Sequence, residues 1–280
     1  MSSLALASGF GGAVSMALDN GKVYFTDGIS TVQSVATADG TVTTIAANQE
    51  RPTGMAIDDQ YVYWSNNLGA AIKRAPKDGS GAPELLVSAN MPTEVGVFGD
   101  YVYWVDADYT AIWRAPKTGG VATIVISSST RMNGRFFAPT GIYYSYYLDT
   151  YQSTLYSLFG GWSMTVGRYS YFDAVGDYVA YLRWPGTMGL PYALVLLDPA
   201  TGNVTSTATG SLYSSWSTAN SCGLFAASSS RLQVMPLALR NSSNVQLATV
   251  LTKFNITAAT SDDKNVYFFA DNAIYRLPLP

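Results

Sequence analysis

The apolar positions of this chain fall into short runs separated by polar, glycine-rich segments. Seven runs share one form, an aliphatic residue leading one or two aromatics. They are Val23-Tyr24-Phe25, Val62-Tyr63-Trp64, Val102-Tyr103-Trp104, Ile142-Tyr143-Tyr144, Val179-Ala180-Tyr181, Leu224-Phe225-Ala226 and Val266-Tyr267-Phe268. Their spacings are 39, 40, 40, 37, 45 and 42 residues. Val, Ile, Tyr, Phe and Trp fit a pleated surface, so each run, called an anchor below, predicts a β-strand.

Each anchor is followed by a second apolar segment, clearest in Ala71-Ile72-Lys73-Arg74-Ala75-Pro76 and Ala111-Ile112-Trp113-Arg114-Ala115-Pro116. Further copies are predicted at Thr154 to Phe159, Ala193 to Leu197, Arg231 to Pro236 and Ala273 to Pro278. Glycine-bearing turns follow, such as Asp39-Gly40, Asp78-Gly79 and Gly119-Gly120, where glycine supplies the positive φ of a tight hairpin. A Val/Thr/Ile-rich strand comes next, as in Ala122 to Ser127 or Val245 to Thr252, and one short strand precedes each anchor, as in Gly54 to Asp58. A four-stranded unit repeating about every 40 residues is the pattern of a β-propeller blade.

The two ends fit one another. The last unit stops after its third strand, and Ser3 to Ser8 has the pattern of the missing fourth. The prediction is an all-β, seven-bladed propeller of four-stranded antiparallel blades, a single domain over residues 1–280. The N-terminal strand completes the last blade, and closing the ring protects sheet edges.

Composition narrows the chemistry. The chain has no histidine, one cysteine (Cys222), 12% charged residues and a formal net charge of −3. Histidine-based triads and histidine-ligated metals are excluded, as is an internal disulfide. The charge balance carries no nucleic-acid footprint. No apolar run approaches the roughly 18 residues of a membrane span.

Tyr61-Val62-Tyr63-Trp64-Ser65-Asn66, Tyr101-Val102-Tyr103-Trp104-Val105-Asp106 and Val23-Tyr24-Phe25-Thr26-Asp27 resemble YWTD-type propeller repeats. The Ile-x-Arg-x-Pro-Lys-x-Gly pattern after them is similar to repeats of secreted bacterial propellers, best over residues 13–130 and 256–280. The resemblance implies a propeller fold and an extracellular or periplasmic binding role, and it carries over no catalytic residue.

Candidate site residues come from the repeat's irregularities. Eight residues before the anchors stand Ser15, Gly54, Glu94, Gly134, Tyr171, Trp216 and Ala258; six before stand Ala17, Ala56, Gly96, Phe136, Asp173, Thr218 and Thr260. These columns are mostly small, as a crowded channel lining would require. Glu94, Tyr171, Asp173 and Trp216 break the pattern and are predicted to form a channel-mouth pocket. Two carboxylates with aromatic walls suit a polyol or a cationic ligand, and the same side chains would equally serve as a plug. Arg135, in the intervening mostly apolar column, joins them. Loops after the anchors carry Tyr146, Tyr147 and Trp184, and should share a face with the loops holding Arg51, Asn90, Arg131 and Asn133. Aromatics with Asn, Asp and Arg suit sugar recognition, and Asp and Asn are also ordinary turn caps.

No cofactor motif stands out. Asp106-Ala107-Asp108 and Ser261-Asp262-Asp263 offer oxygen ligands to Ca²⁺ without matching a known loop pattern. The reading that follows is a non-enzymatic binding or adhesion propeller recognising glycan or protein on one loop face. A histidine-free lyase or hydrolase at the channel mouth and a self-associating assembly subunit are the alternatives.

Overall fold

A computed structural model describes residues 4–138, 140–149, 152–167, 169–175, 178–183, 192–210, 216–219, 223–228, 231–236, 248–252 and 256–278. Within these, side chains are described except at 167, 169–175, 182, 192–194 and 206–252. The described strands form seven four-stranded antiparallel sheets, and no helix occurs among the described residues. Blade 1 comprises Ser15–Asp19, Lys22–Thr26, Val32–Ala36 and Val42–Ala46. Blades 2 to 6 repeat that order from the inner strands Pro52–Ile57, Val95–Phe98, Gly134–Ala138, Tyr169–Val175 and Trp216–Ala219. Blade 7 comprises Ala258–Ser261, Asn265–Ala270 and Ala273–Pro278, with Leu4–Ser8 as its outermost strand, antiparallel to Ala273–Pro278. Each inner strand touches the next, and Ala258–Ser261 touches Ser15–Asp19, so the circuit closes.

The cores lie between blades rather than inside them. Tyr24 of blade 1 packs with Val62 and Trp64 of blade 2. Tyr63 of blade 2 packs with Val102 and Trp104 of blade 3, and Tyr103 with Ile142 and Tyr144 of blade 4. Tyr267 of blade 7 packs with Val23 and Phe25 of blade 1. The second residue of these anchors therefore faces the following blade and the third faces the preceding one. Both faces of the strand are buried, which is why the anchors read as continuous apolar runs instead of alternating ones.

The inner-strand columns align as the spacing predicted. Ser15, Gly134, Tyr171, Trp216 and Ala258 each pair with the residue that follows their anchor: Thr26, Ser145, Leu182, Ala227 and Phe269. The reason for small residues differs from the expected one. A Cβ on Gly54 would lie 2.3 Å from Thr93 O and 2.7 Å from Glu94 Cα, in the next blade. A Cβ on Gly96 would lie 2.5 Å from the Phe137 side chain of blade 4. Smallness there is set by the approach of neighbouring blades near the axis, not by the channel.

Two devices recur at the blade seams. Thr26 Oγ1 donates to Thr53 O at 2.6 Å, and Ser65 Oγ to Thr93 O at 2.5 Å, tying blade 1 to 2 and blade 2 to 3. At the opposite end Lys77 pairs with Asp19, and Lys117 with Asp58. Some boundaries differ from expectation by one or two residues, as where the inner strand of blade 2 is Pro52–Ile57 rather than Gly54 to Asp58. The third strand of blade 4 is Gln152–Ser157, not Thr154 to Phe159, because Ser157 Oγ accepts from Gly160 N and closes the turn early.

Candidate binding site at the channel mouth

Two sets of loops meet on one face of the ring. Arg51 N donates to Ile29 O at 3.2 Å and Asn67 N to Arg51 O at 3.1 Å, so the loop leading into blade 2 is held by the anchor loops of blades 1 and 2. Met132 N donates to Tyr109 O at 2.8 Å, joining the loops of blades 4 and 3 in the same way. Between them opens a cavity of about 490 Å³, walled by Arg51, Thr53, Asn67, Met91, Glu94 and Tyr109, with Val14, Ser15, Gly54, Thr93 and Ala107 between. Three of its wall residues hold left-handed backbone: Arg51 at φ 58°, Met91 at 40° and Tyr109 at 58°. Non-glycine residues adopt that region at a cost, and such positions gather at functional sites.

Among the predicted pocket residues with described side chains, Glu94 lines this cavity. Its position faces blade 4, and Arg135 faces back. Arg135 Nη2 donates to Glu94 Oε1 at 2.6 Å and Nε to the same oxygen at 3.0 Å; Thr93 Oγ1 donates to Oε2 at 2.6 Å. Burial pushes the Glu94 carboxyl up, but the Arg135 hydrogen bond and charge, with the Thr93 hydroxyl, more than offset it and hold it below the usual carboxylate range. The pair replaces a seam hydroxyl. Blade 3 has Val105 where blades 1 and 2 have Thr26 and Ser65, and the ion pair bridges blades 3 and 4 there instead.

Arg135 also lies 3.8 Å above the Tyr109 ring centroid, and Arg131 lies 4.9 Å from it. Tyr109 was not among the predicted site residues. The signal that marks its neighbours is the shared register of Arg51-Pro52-Thr53 and Met91-Pro92-Thr93, two loops that put a left-handed residue before proline.

The other candidates divide. Tyr171, Asp173 and Trp216 lie on inner strands, Tyr171 and Trp216 at positions equivalent to Glu94, and their side chains fall outside the description. Trp184 lies outside the described residues. Tyr147 is exposed on the loop face. Tyr146 is partly buried: its ring packs edge-on against Tyr144 and Tyr156, 5.9 and 6.0 Å between centroids, within the seam of blades 3 and 4. Strand alternation turns it inward.

Arg135 and Thr93 already occupy the Glu94 carboxylate. The calcium expectation changes for a similar reason. Asp106 spends its oxygens on Thr110 N, Thr110 Oγ1 and Ala111 N, and Asp262 on Lys264 N, Asn265 N and Tyr267 Oη. They cap turns. Among the described residues no group of three or more acidic, histidine or cysteine side chains is placed to hold a metal. No described helix is long and apolar enough to cross a membrane.

No known sequence family matches the chain, and no curated protein sequence does. Solved structures match at the level of the fold. Hydrazine synthase of Kuenenia stuttgartiensis is similar at TM-score 0.71 and 14% identity, over 96% of each chain. Streptogramin B lyase is similar at TM-score 0.69 and 11% identity, over 100% of this chain and 97% of that one. YCF48 bound to D1 peptide is similar at TM-score 0.67 and 10% identity, over 100% of this chain and 96% of that one. At these identities the likeness shows a shared propeller fold.

Proposed function

We propose that this propeller is a binding protein that holds a peptide segment of a partner protein across its loop face, over the channel mouth. The observation that carries the reading is a rim of exposed apolar side chains around a preformed cavity of mixed polar and apolar lining. Ile29 of blade 1 is 61% exposed, Leu68 of blade 2 is 63% exposed, and Tyr147 and Leu148 of blade 4 are each 60% exposed. Val14 and Met91 add apolar surface at the cavity lip. These positions lie in or beside the loops that follow the anchors, and exposed large apolar side chains on one face mark an interaction surface. Aliphatic residues outnumber stacking aromatics on the described rim, which favours protein over glycan.

The fold's neighbours include both an enzyme and a peptide-bound protein, so the fold does not choose between them. The chemistry of the described cavity supports binding. Glu94 keeps its charge on two partners, which makes it a fixture of the wall rather than a proton shuttle.

The test is selection of random dodecapeptides displayed on phage against the immobilised protein. Peptides enriched over an unrelated immobilised protein are expected. Binding should fall at least tenfold in a variant carrying Ile29→Ser, Leu68→Ser and Leu148→Ser. It should persist in Val121→Ser, an exposed residue of the turn between the third and outer strands of blade 3. No enrichment, or binding that ignores the triple substitution, overturns the proposal.

A further inference from the structure

On the reading that the loop face binds a peptide, we infer that the channel-mouth cavity is a carboxylate subsite, in which Arg51 receives an Asp or Glu side chain of the bound segment. The inference begins with an accounting of charge on this face. Asp27 accepts from Ile29 N, Ser30 N, Thr31 N and Thr31 Oγ1, so its charge is spent on its own loop. Asp106 is spent in the same way, and Glu94 is neutralised by Arg135. Arg51 and Arg131 have no acidic partner among the described residues, and of the two only Arg51 lines the cavity. The Arg51 side chain is exposed and has no acceptor or anion among the described residues.

Its setting is that of a receptor group rather than a stray surface cation. The backbone of Arg51 is clamped on both sides, by Ile29 O and Asn67 N, in a left-handed conformation immediately before Pro52. A guanidinium projecting from a fixed point loses less freedom on binding, which raises the affinity obtained from a given contact. A planar guanidinium also matches a carboxylate with two parallel hydrogen bonds, worth more than neutral ones. The Ser15 hydroxyl on the opposite wall has no hydrogen-bond partner among the described residues and offers a further donor. Arg131 and Arg135, stacked on Tyr109, add positive potential at the lip, and only Arg135 is paired with an acid. Met91 and Val14 flank the opening, so an apolar residue next to the acidic one completes the fit.

The experiment uses dodecapeptides recovered from the phage selection, synthesised with amidated C-termini so that any carboxylate is a side chain. An Asp or Glu beside an apolar residue should recur in them. Replacing that acid by its amide should weaken binding at least tenfold in the unmodified protein and less than twofold in Arg51→Gln, the signature of a direct pair in a double-mutant cycle. Affinity should also fall as NaCl rises from about 50 to 500 mM, since an exposed charge pair is screened. Lys264→Gln, an exposed lysine in the hairpin turn between the first two strands of blade 7, at the other end of the ring, should change nothing. Neutral or basic consensus peptides, or an amide penalty that persists in full in Arg51→Gln, overturn the carboxylate subsite while peptide binding on this face stands. Failure to recover any loop-face binder removes both.

Discussion

Single residues decide where charge is open in this molecule. Glu94 and Arg135 are 41 positions apart, Glu94 immediately before the inner strand of blade 3 and Arg135 on that of blade 4, and each is reached only because its column faces the other's blade. The Glu94 pKa is depressed in the folded protein, so the pair's contribution to stability is present above the ordinary carboxylate range and is lost as pH falls through the lowered value. Glu94 is 41% exposed, so that contribution is at most about 1 kcal/mol. Arg135→Met should move the Glu94 pKa upward, read by side-chain carboxyl NMR, and should flatten the loss of stability on acidification. A Glu94 titration that does not move would show that the ion pair does not set it.

At the scale of the element, the first hairpin of a blade is closed by one aspartate. Asp58 accepts from Gln60 N and Tyr61 N and from Tyr63 Oη at 2.9 Å; Asp262 accepts from Lys264 N and Asn265 N and from Tyr267 Oη at 3.1 Å. Burial first, and the nearby aspartate next, push both phenols up, so they remain proton donors through the neutral range. Tyr63→Phe and Tyr267→Phe should each cost about 1 kcal/mol in urea denaturation. The two sites lie in blades 2 and 7 and share no partner, so the double variant should lose the sum. Strongly sub-additive losses would mean that the turns are not independent. This device was visible in the sequence only as an aspartate five residues before each of these two tyrosines; that the two touch is a property of the hairpin.

The whole ring depends on one strand donated from the other end of the chain. Leu4–Ser8 pairs with Ala273–Pro278 and ties blade 7 covalently to blade 1. A circular permutant beginning at Ala13, with residues 1–12 joined after residue 280 by a short Gly/Ser linker, makes blade 7 a continuous meander and removes that tie. The seam of blades 7 and 1 then rests on face packing, on Thr257 Oγ1 donating to Ala13 O and on Arg276 Nη1 donating to Thr37 O. The permutant should keep the fold by circular dichroism, melt several degrees lower, and exchange amide hydrogens faster at Ser15–Asp19 and Ala258–Ser261. An unchanged Tm would show that the shared strand adds nothing to closure.

The sequence by itself determined the repeat, the strand register and the closing strand, because each is written in the spacing of residues along the chain. Aromatic anchors must be buried on both faces, and a blade must alternate its side chains, wherever the blade sits. It also marked Glu94, as a carboxylate in a column of small residues. Only the tertiary structure decided what that carboxylate meets, that Tyr146 packs into a seam while Tyr147 stays exposed, and that Arg51 lines the cavity without an acidic partner among the described residues. Those outcomes are set across the boundary between blades, where partners 41 residues apart approach within hydrogen-bond distance, and no periodicity within one blade records which neighbour will satisfy which charge.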